Sequence, residues 1–147
     1  MPDPIKKQIR ARWVTLVTPL VATLGLRAAP LWSEDPLQIL QPLPSLLLYT
    51  TDDVEISKNN LGRVKQFNIT NKFCFAEPRT LKDTEDQIVA ETTKLVEADI
   101  QLGGLANIVD QREVESFLAT LHAPLGIVLI SWRVEYRHRL AQPEVNY

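Results

Sequence analysis

Gly103 and Gly104 are the only adjacent glycines in the chain, and they stand inside VEADIQLGGLANIVD, Val96 to Asp110. A glycine pair cradles a phosphate when it follows a strand and opens a helix, because its amides and the positive helix end then face the anion. Here the order is reversed, with a helical pattern before the pair and a strand pattern after it. The role that fits is a structural turn, in which glycine supplies the left-handed residue that stops a helix.

The other chemistry-bearing residues are thinly spread. Paired carboxylates occur at Asp52 and Asp53, at Glu85 and Asp86, and at Glu97 and Asp99, in positions that read as turns or helix ends. General acid-base work needs a carboxylate shifted by burial, and nothing in these contexts marks one as buried. Ser, His and Asp are present without a G-x-S-x-G elbow to expose a nucleophile. The two histidines, His122 and His138, and the one cysteine, Cys74, are too few for a multi-histidine or cysteine-based metal centre within one chain. The sequence therefore predicts no catalytic, cofactor-binding or metal-ligating residue. One local basic run remains: Arg133, Arg137, His138 and Arg139, with Arg63 and Lys65 as candidates to join it. It reads either as a solvated edge that discourages sheet-to-sheet aggregation or as a surface for DNA or an acidic partner.

A chain of 147 residues with 45% hydrophobic and 23% charged side chains has the size and balance of one folded domain. A net charge of −2 argues against coating nucleic acid or an anionic membrane through a global field. A single cysteine excludes an internal disulfide. Lys6, Lys7, Arg10 and Arg12 before WVTLVTPLVATLGL imitate a secretory signal, but Leu26-Arg27-Ala28 is a poor cleavage site and the segment is read as structure. The apolar run is also shorter than the roughly 20 residues a membrane span needs.

The elements that must position these residues follow from periodicity. Ile5, Ile9, Trp13, Leu16, Leu20 and Leu24 lay one stripe along a helix opened by Pro4 and kinked near Thr18 by Pro19. Prolines punctuate a connector at 28–44, where Ser33 could cap a short helical turn. SLLLYTT from Ser45 predicts a buried strand, and the alternation through Arg63 to Phe75 predicts a second, joined to it as a hairpin by Asn59-Asn60-Leu61-Gly62. A second helix is expected from Asp83 or Thr84 to Gln101, with Ile88, Val89, Thr92, Leu95, Val96 and Ile100 inward. Leu105 to Val109 is a third strand candidate. In GIVLISWRVEYRHRL the fourth places Val128, Ile130, Trp132, Val134 and Tyr136 on a core face and Leu129, Arg133 and Arg137 on the other. The predicted fold is α+β, a mostly antiparallel sheet of about four strands with two long helices packed on it. It forms a single domain over 1–147 with a short C-terminal tail at 140–147.

Two stretches carry a family resemblance. VEADIQLGGLANIVD resembles the segment of tail terminator proteins of long-tailed bacteriophages in which a helix ends in an aspartate, then L-G-G, then a strand. IVLISWRVEYRHRL is similar to the family's closing strand, which finishes in an aromatic-arginine pair, here Tyr136-Arg137. The order of elements agrees over nearly the whole chain, with departures at Pro19 and in the Pro-rich connector. The resemblance implies a non-enzymatic virion protein of the tail neck, without cofactor or membrane, assembled in the bacterial host cytoplasm. It would form a homo-oligomeric ring, usually a hexamer, on the end of the tail tube. Its partners would be itself, the tail tube protein and the head-tail connector or neck proteins, with phage DNA passing through the lumen without specific binding. A head-tail connector or tube protein is the alternative within the tail. A small enzyme with an inter-subunit site is the alternative outside it. In the ring reading, Leu129 or Arg133 lies at a subunit boundary, with Arg137 and Arg139 beside it.

Overall fold

In a computed structural model of the chain, residues 4–35, 37–76, 81–120, 124–139 and 142–144 are described. The elements in order are α1 (Ile5–Val17), α2 (Leu20–Thr23), β1 (Leu31–Trp32), β2 (Ser45–Thr50), β3 (Val54–Lys58), β4 (Gly62–Phe75), α3 (Leu81–Glu97), β5 (Ile108–Thr120) and β6 (Pro124–Arg139). The sheet order is β1-β2-β4-β6-β5, and β3 pairs with β4 alongside β2.

The α+β class holds, but the expectation of a mostly antiparallel sheet of about four strands under two long helices is corrected. The sheet has six strands and is mixed, because β1 runs parallel to β2 with Leu31 opposite Leu47. The first helix is also not one long rod: it ends at Val17, turns at Thr18 and Pro19, and resumes as the four-residue α2. Pro19 has no amide to continue the ladder, and Thr18 Oγ bonds back to the Val14 carbonyl at 2.6 Å. Before the break the stripe keeps its four-residue step, so Val17 is buried where Leu16 was expected, and Leu20 beyond it is buried as expected.

β4 is the spine. Its first half pairs with β3, from Arg63↔Lys58 to Gln66↔Val54, and its second half pairs with β2, from Ile69↔Thr50 to Cys74↔Ser45. The predicted hairpin between β2 and β4 therefore contains a strand of its own, and the Asn59 turn joins β3 to β4. Asn59 Oδ1 accepts the Leu61 and Gly62 amides at 2.8 and 3.1 Å. On its other side β4 pairs along its whole length with β6, from Gly62↔Arg139 to Phe75↔Gly126.

One face of this sheet carries the helices. Ile5, Ile9, Trp13 and Val17 of α1 and Ile88, Thr92 and Val96 of α3 pack on Phe67, Ile69 and Phe73 of β4 and on the predicted core face of β6. Trp13 and Trp132 meet with ring centroids 6.0 Å apart, and Trp13 Nε1 donates to the buried Asn71 Oδ1 at 3.0 Å. The opposite face buries Leu47, Lys72, Cys74 and Ile127. Lys72 Nζ donates to the Gln38 carbonyl at 2.8 Å, which places the Pro-rich connector over that face. Ser33 caps a turn rather than a helix there, accepting the Asp35 amide at 3.0 Å. Beyond β6, the Pro143 carbonyl accepts the Ile5 amide at 2.7 Å, so the chain after β6 returns to the start of α1.

The third strand candidate is displaced. Leu105 and Ala106 remain in the corner after α3, their amides bonded to the Leu102 and Gln101 carbonyls, and β5 begins only at Ile108. It then continues through QREVESFLAT, with a bulge between Gln111 and Glu113. That segment lies at the sheet edge with most side chains exposed, so its polar composition hides it from a search for apolar runs.

Candidate functional site

The glycine corner was the first candidate, and its geometry leaves no free amide pair for a phosphate. The left-handed path begins at Leu102 (φ 50°) and continues through Gly103 (φ 67°) and Gly104 (φ 90°). The Gly103 amide donates to Asp99 Oδ1 at 2.9 Å and the Gly104 amide to the Gln101 carbonyl at 3.0 Å. Both donors that would hold an anion are thus occupied, one of them by a carboxylate. Arg12 closes the corner from α1, donating from Nε and a terminal nitrogen to Asp99 Oδ2 at 3.1 and 2.8 Å. Burial pushes the Asp99 carboxyl upward, but the Gly103 amide, the Arg12 hydrogen bonds and the Arg12 charge outweigh it and hold Asp99 below the usual range. Leu102 is fully buried, whereas Ile100, expected inward, swings outward because α3 stops at Glu97.

One member of each carboxylate pair is a structural anchor, as Asp99 is in the corner. Asp53 takes the Lys6 ammonium at 2.7 Å and the Tyr136 hydroxyl at 2.6 Å. Burial, the hydrogen bond to Asp53 and its charge push the Tyr136 phenol far upward. Glu85 accepts the Ser116 hydroxyl at 2.5 Å, which with help from Lys82 outweighs desolvation and lowers its carboxyl. Among the described residues no group of three or more His, Cys, Asp or Glu is placed to hold a metal. His122 lies outside the described residues.

The basic run divides. β-Strand alternation sends Arg133, Arg137 and Arg139 to the face away from the helices, while His138, buried, points with Tyr136 to the helix side. Arg63 and Lys65 lie directly across from His138 and Tyr136, so they join the histidine and not the arginines. Arg63 pairs with Glu55 at 3.3 Å and Arg133 with Asp110 of β5 at 3.3 Å. Arg137 is half-buried and Arg139 exposed.

Leu129 is half-buried on the same face as the arginines, opposite Lys72 on β4 and Glu115 on β5. Phe117, 43% exposed, sits diagonally across from it on β5. Leu118, at 60%, and Ile108, at 40%, add exposed apolar surface to the same edge strand. On the far side of the sheet β3 is exposed throughout and presents Val54 and Ile56. Among the described residues each of these strands has a single partner, β6 for β5 and β4 for β3, leaving two dissimilar edges open besides the two-residue β1. Sequence reasoning passed over both. The alternation in VEISK, bounded by Asp52-Asp53 and Asn59-Asn60, carried a period-two signal for β3. β5 gave none.

Among the described residues no helix is long and apolar enough to cross a membrane. No protein-family model matches the sequence, and no curated protein matches it.

Proposed function

We propose that the chain is a structural protein of a bacteriophage virion, of the tail-terminator kind. Copies associate side by side into a ring on the end of the tail tube, which stops the tube and offers the head-side connector a surface. DNA passes through the lumen. The observation that supports this reading best is the pair of dissimilar edges. β5 is 13 residues long, about 40 Å at the usual rise, and bears Ile108, Phe117 and Leu118 in the open. β3 bears Val54 and Ile56 at the other side. A contact between two different surfaces is heterologous, and it closes into a ring when its rotation is right. An edge of that length has room for a standard interface of about 800 Å² per partner.

Light scattering on the purified chain, with electron microscopy in the presence of tail tubes, tests the proposal. The parent is expected to form rings, and Phe117→Asp or the pair Leu129→Asp and Arg133→Glu to prevent them while leaving the monomer folded. Monomers at every concentration and in the presence of tubes would overturn the ring. Rings formed normally by all three variants would overturn the placement of the interface at β5 and β6. Binding to the portal side without capping tubes would replace the terminator by a connector.

A further inference from the structure

A cavity of about 320 Å³ lies where the first turns of α1 meet the ends of β4 and β6. Lys6, Lys7 and Arg10 of α1, Lys65 of β4, and Tyr136 and His138 of β6 form its wall with Asp53. The one carboxylate is already engaged by Lys6 and by the Tyr136 hydroxyl, so it does not balance Arg10 and Lys65. Arg10 and Lys65 have no side-chain partner among the described residues. α1 adds its positive end: Pro4 gives no side-chain cap, and no acidic residue stands in the first turn. His138 is a separate pointer. It is 6% exposed, its Nδ1 hydrogen is given to the Arg139 carbonyl at 2.9 Å, and its Nε2 is buried with no partner. A buried polar atom left unsatisfied costs free energy that a ligand atom can recover.

We infer that this cavity is an anion site for a phosphoryl group, free phosphate or the end of a small phosphate monoester. Lys65 and Arg10 contact its oxygens, and the α1 N-terminus and His138 lie behind it. The cavity lies at the small end of ligand pockets, too small for a duplex. Two unbalanced cations and a helix N-terminus suit a phosphoryl group better than a single carboxylate, and its bond to His138 Nε2 carries one proton, held by the ring or by a phosphate hydroxyl. The inference is independent of ring formation, since the cavity is built from one chain.

Thermal unfolding and isothermal titration of the full chain with inorganic phosphate and with glycerol 3-phosphate, at matched ionic strength against acetate, test it. At ten times the Kd, phosphate or the monoester is expected to raise Tm by about 3–6 °C. Tighter binding of the monoester identifies an ester as the source, and equal or tighter binding of inorganic phosphate identifies the free ion. Arg10→Gln and Lys65→Gln should each weaken binding roughly tenfold or more. Their Tm without ligand should equal or exceed the parent's, because they relieve repulsion among cations. His138→Gln tests the buried nitrogen, and if it fails to fold, the two surface variants still decide. Acetate acting as well as phosphate, phosphate binding unchanged in Arg10→Gln and Lys65→Gln, or binding of duplex DNA alone would each overturn the site.

Discussion

Replacing Gly103 isolates the conformational role of the corner from every contact around it. At φ 67° an L-residue sits in the left-handed region, which costs roughly 1–2 kcal/mol for Ala. A Cβ built there meets only the Arg12 guanidinium, at 3.6 to 3.7 Å, an ordinary contact. The loss is therefore backbone strain, and we expect Gly103→Ala to destabilise by about 1–2 kcal/mol and Gly103→Val by more, because a β-branched residue resists this conformation further. Gly103→Asn should recover part of the loss, since Asn visits the left-handed region most readily after glycine. Gly25, at φ 65° with open space around its Cβ position, provides an internal control: Gly25→Ala should cost about the same. Urea unfolding reads these values as midpoint shifts at unchanged slope, and thermal unfolding should show about 2–4 °C per kcal/mol. Leu102 holds φ 50° without glycine's freedom because its side chain is fully buried. Leu102→Gly should thus be worse than the parent despite relieving strain, by about 2–5 kcal/mol of lost packing. If Gly103→Ala unfolded at the parent midpoint while Gly103→Asn was less stable, backbone conformation would not be what Gly103 supplies.

Two further expectations concern the same scaffold. A Cβ at Gly126 would lie 2.4 Å from the Phe75 ring, so Gly126→Ala should cost about 1–3 kcal/mol, and Phe75→Leu should absorb part of that cost; strictly additive losses in a double-mutant cycle would refute the clash. Asp99 has its folded pKa lowered, so its contribution is complete above the unfolded value near 4 and disappears as pH falls through the lower folded value. Asp99→Asn should cost about 0.5–1.5 kcal/mol at neutral pH and flatten the stability profile below about pH 4; an equally steep acid limb would place the sensitivity elsewhere.

The helix-facing half of the fold was legible because burial imposes a period. Ile5, Ile9 and Trp13 recur at helical spacing, and Val128 through Tyr136 recur at strand spacing, since one side of each element meets the core. The corner at Gly103 and Gly104 was legible because only glycine enters that backbone region freely. What escaped was set by partners distant in sequence. β1 is two residues long and exists because β2 lies beside it. β5 follows β6 along its whole length, with one bulge, although its own sequence carries no period-two signal. The arginine and histidine run looked like one patch along the chain, and only the alternation across β6, with Lys65 opposite Tyr136, divides it into two surfaces with different neighbours. The cavity beside His138 was invisible for the same reason, since α1, β4 and β6 contribute to it from three distant stretches.

An exposed 13-residue edge raises the question of why two copies would not simply pair β5 with β5. Such a contact is two-fold, so residues on either side of its centre meet their own counterparts. Centred near Val114, it would bring Glu113 of one copy against Glu115 of the next, and those two carboxylates are already neighbours along β5 within a chain. The hydrogen bond that protonated Glu115 donates to Glu113 and the Glu113 charge together push the Glu115 carboxyl upward, so Glu115 takes up a proton earlier than an ordinary glutamate as pH falls. Like charges facing across strands are destabilising. The bulge at Gln111 further spoils a regular ladder. Both features act against the two-fold pairing and not against a contact with the β3 edge, where Lys58 offers opposite charge. Glu115→Gln should therefore permit two-fold dimers that the parent avoids, and mild acid should do the same to the parent by protonating Glu115. Sedimentation across pH 7 to about pH 4 measures this, and a Glu115→Gln variant with the parent's association state throughout would mean that the glutamate pair does not guard the edge.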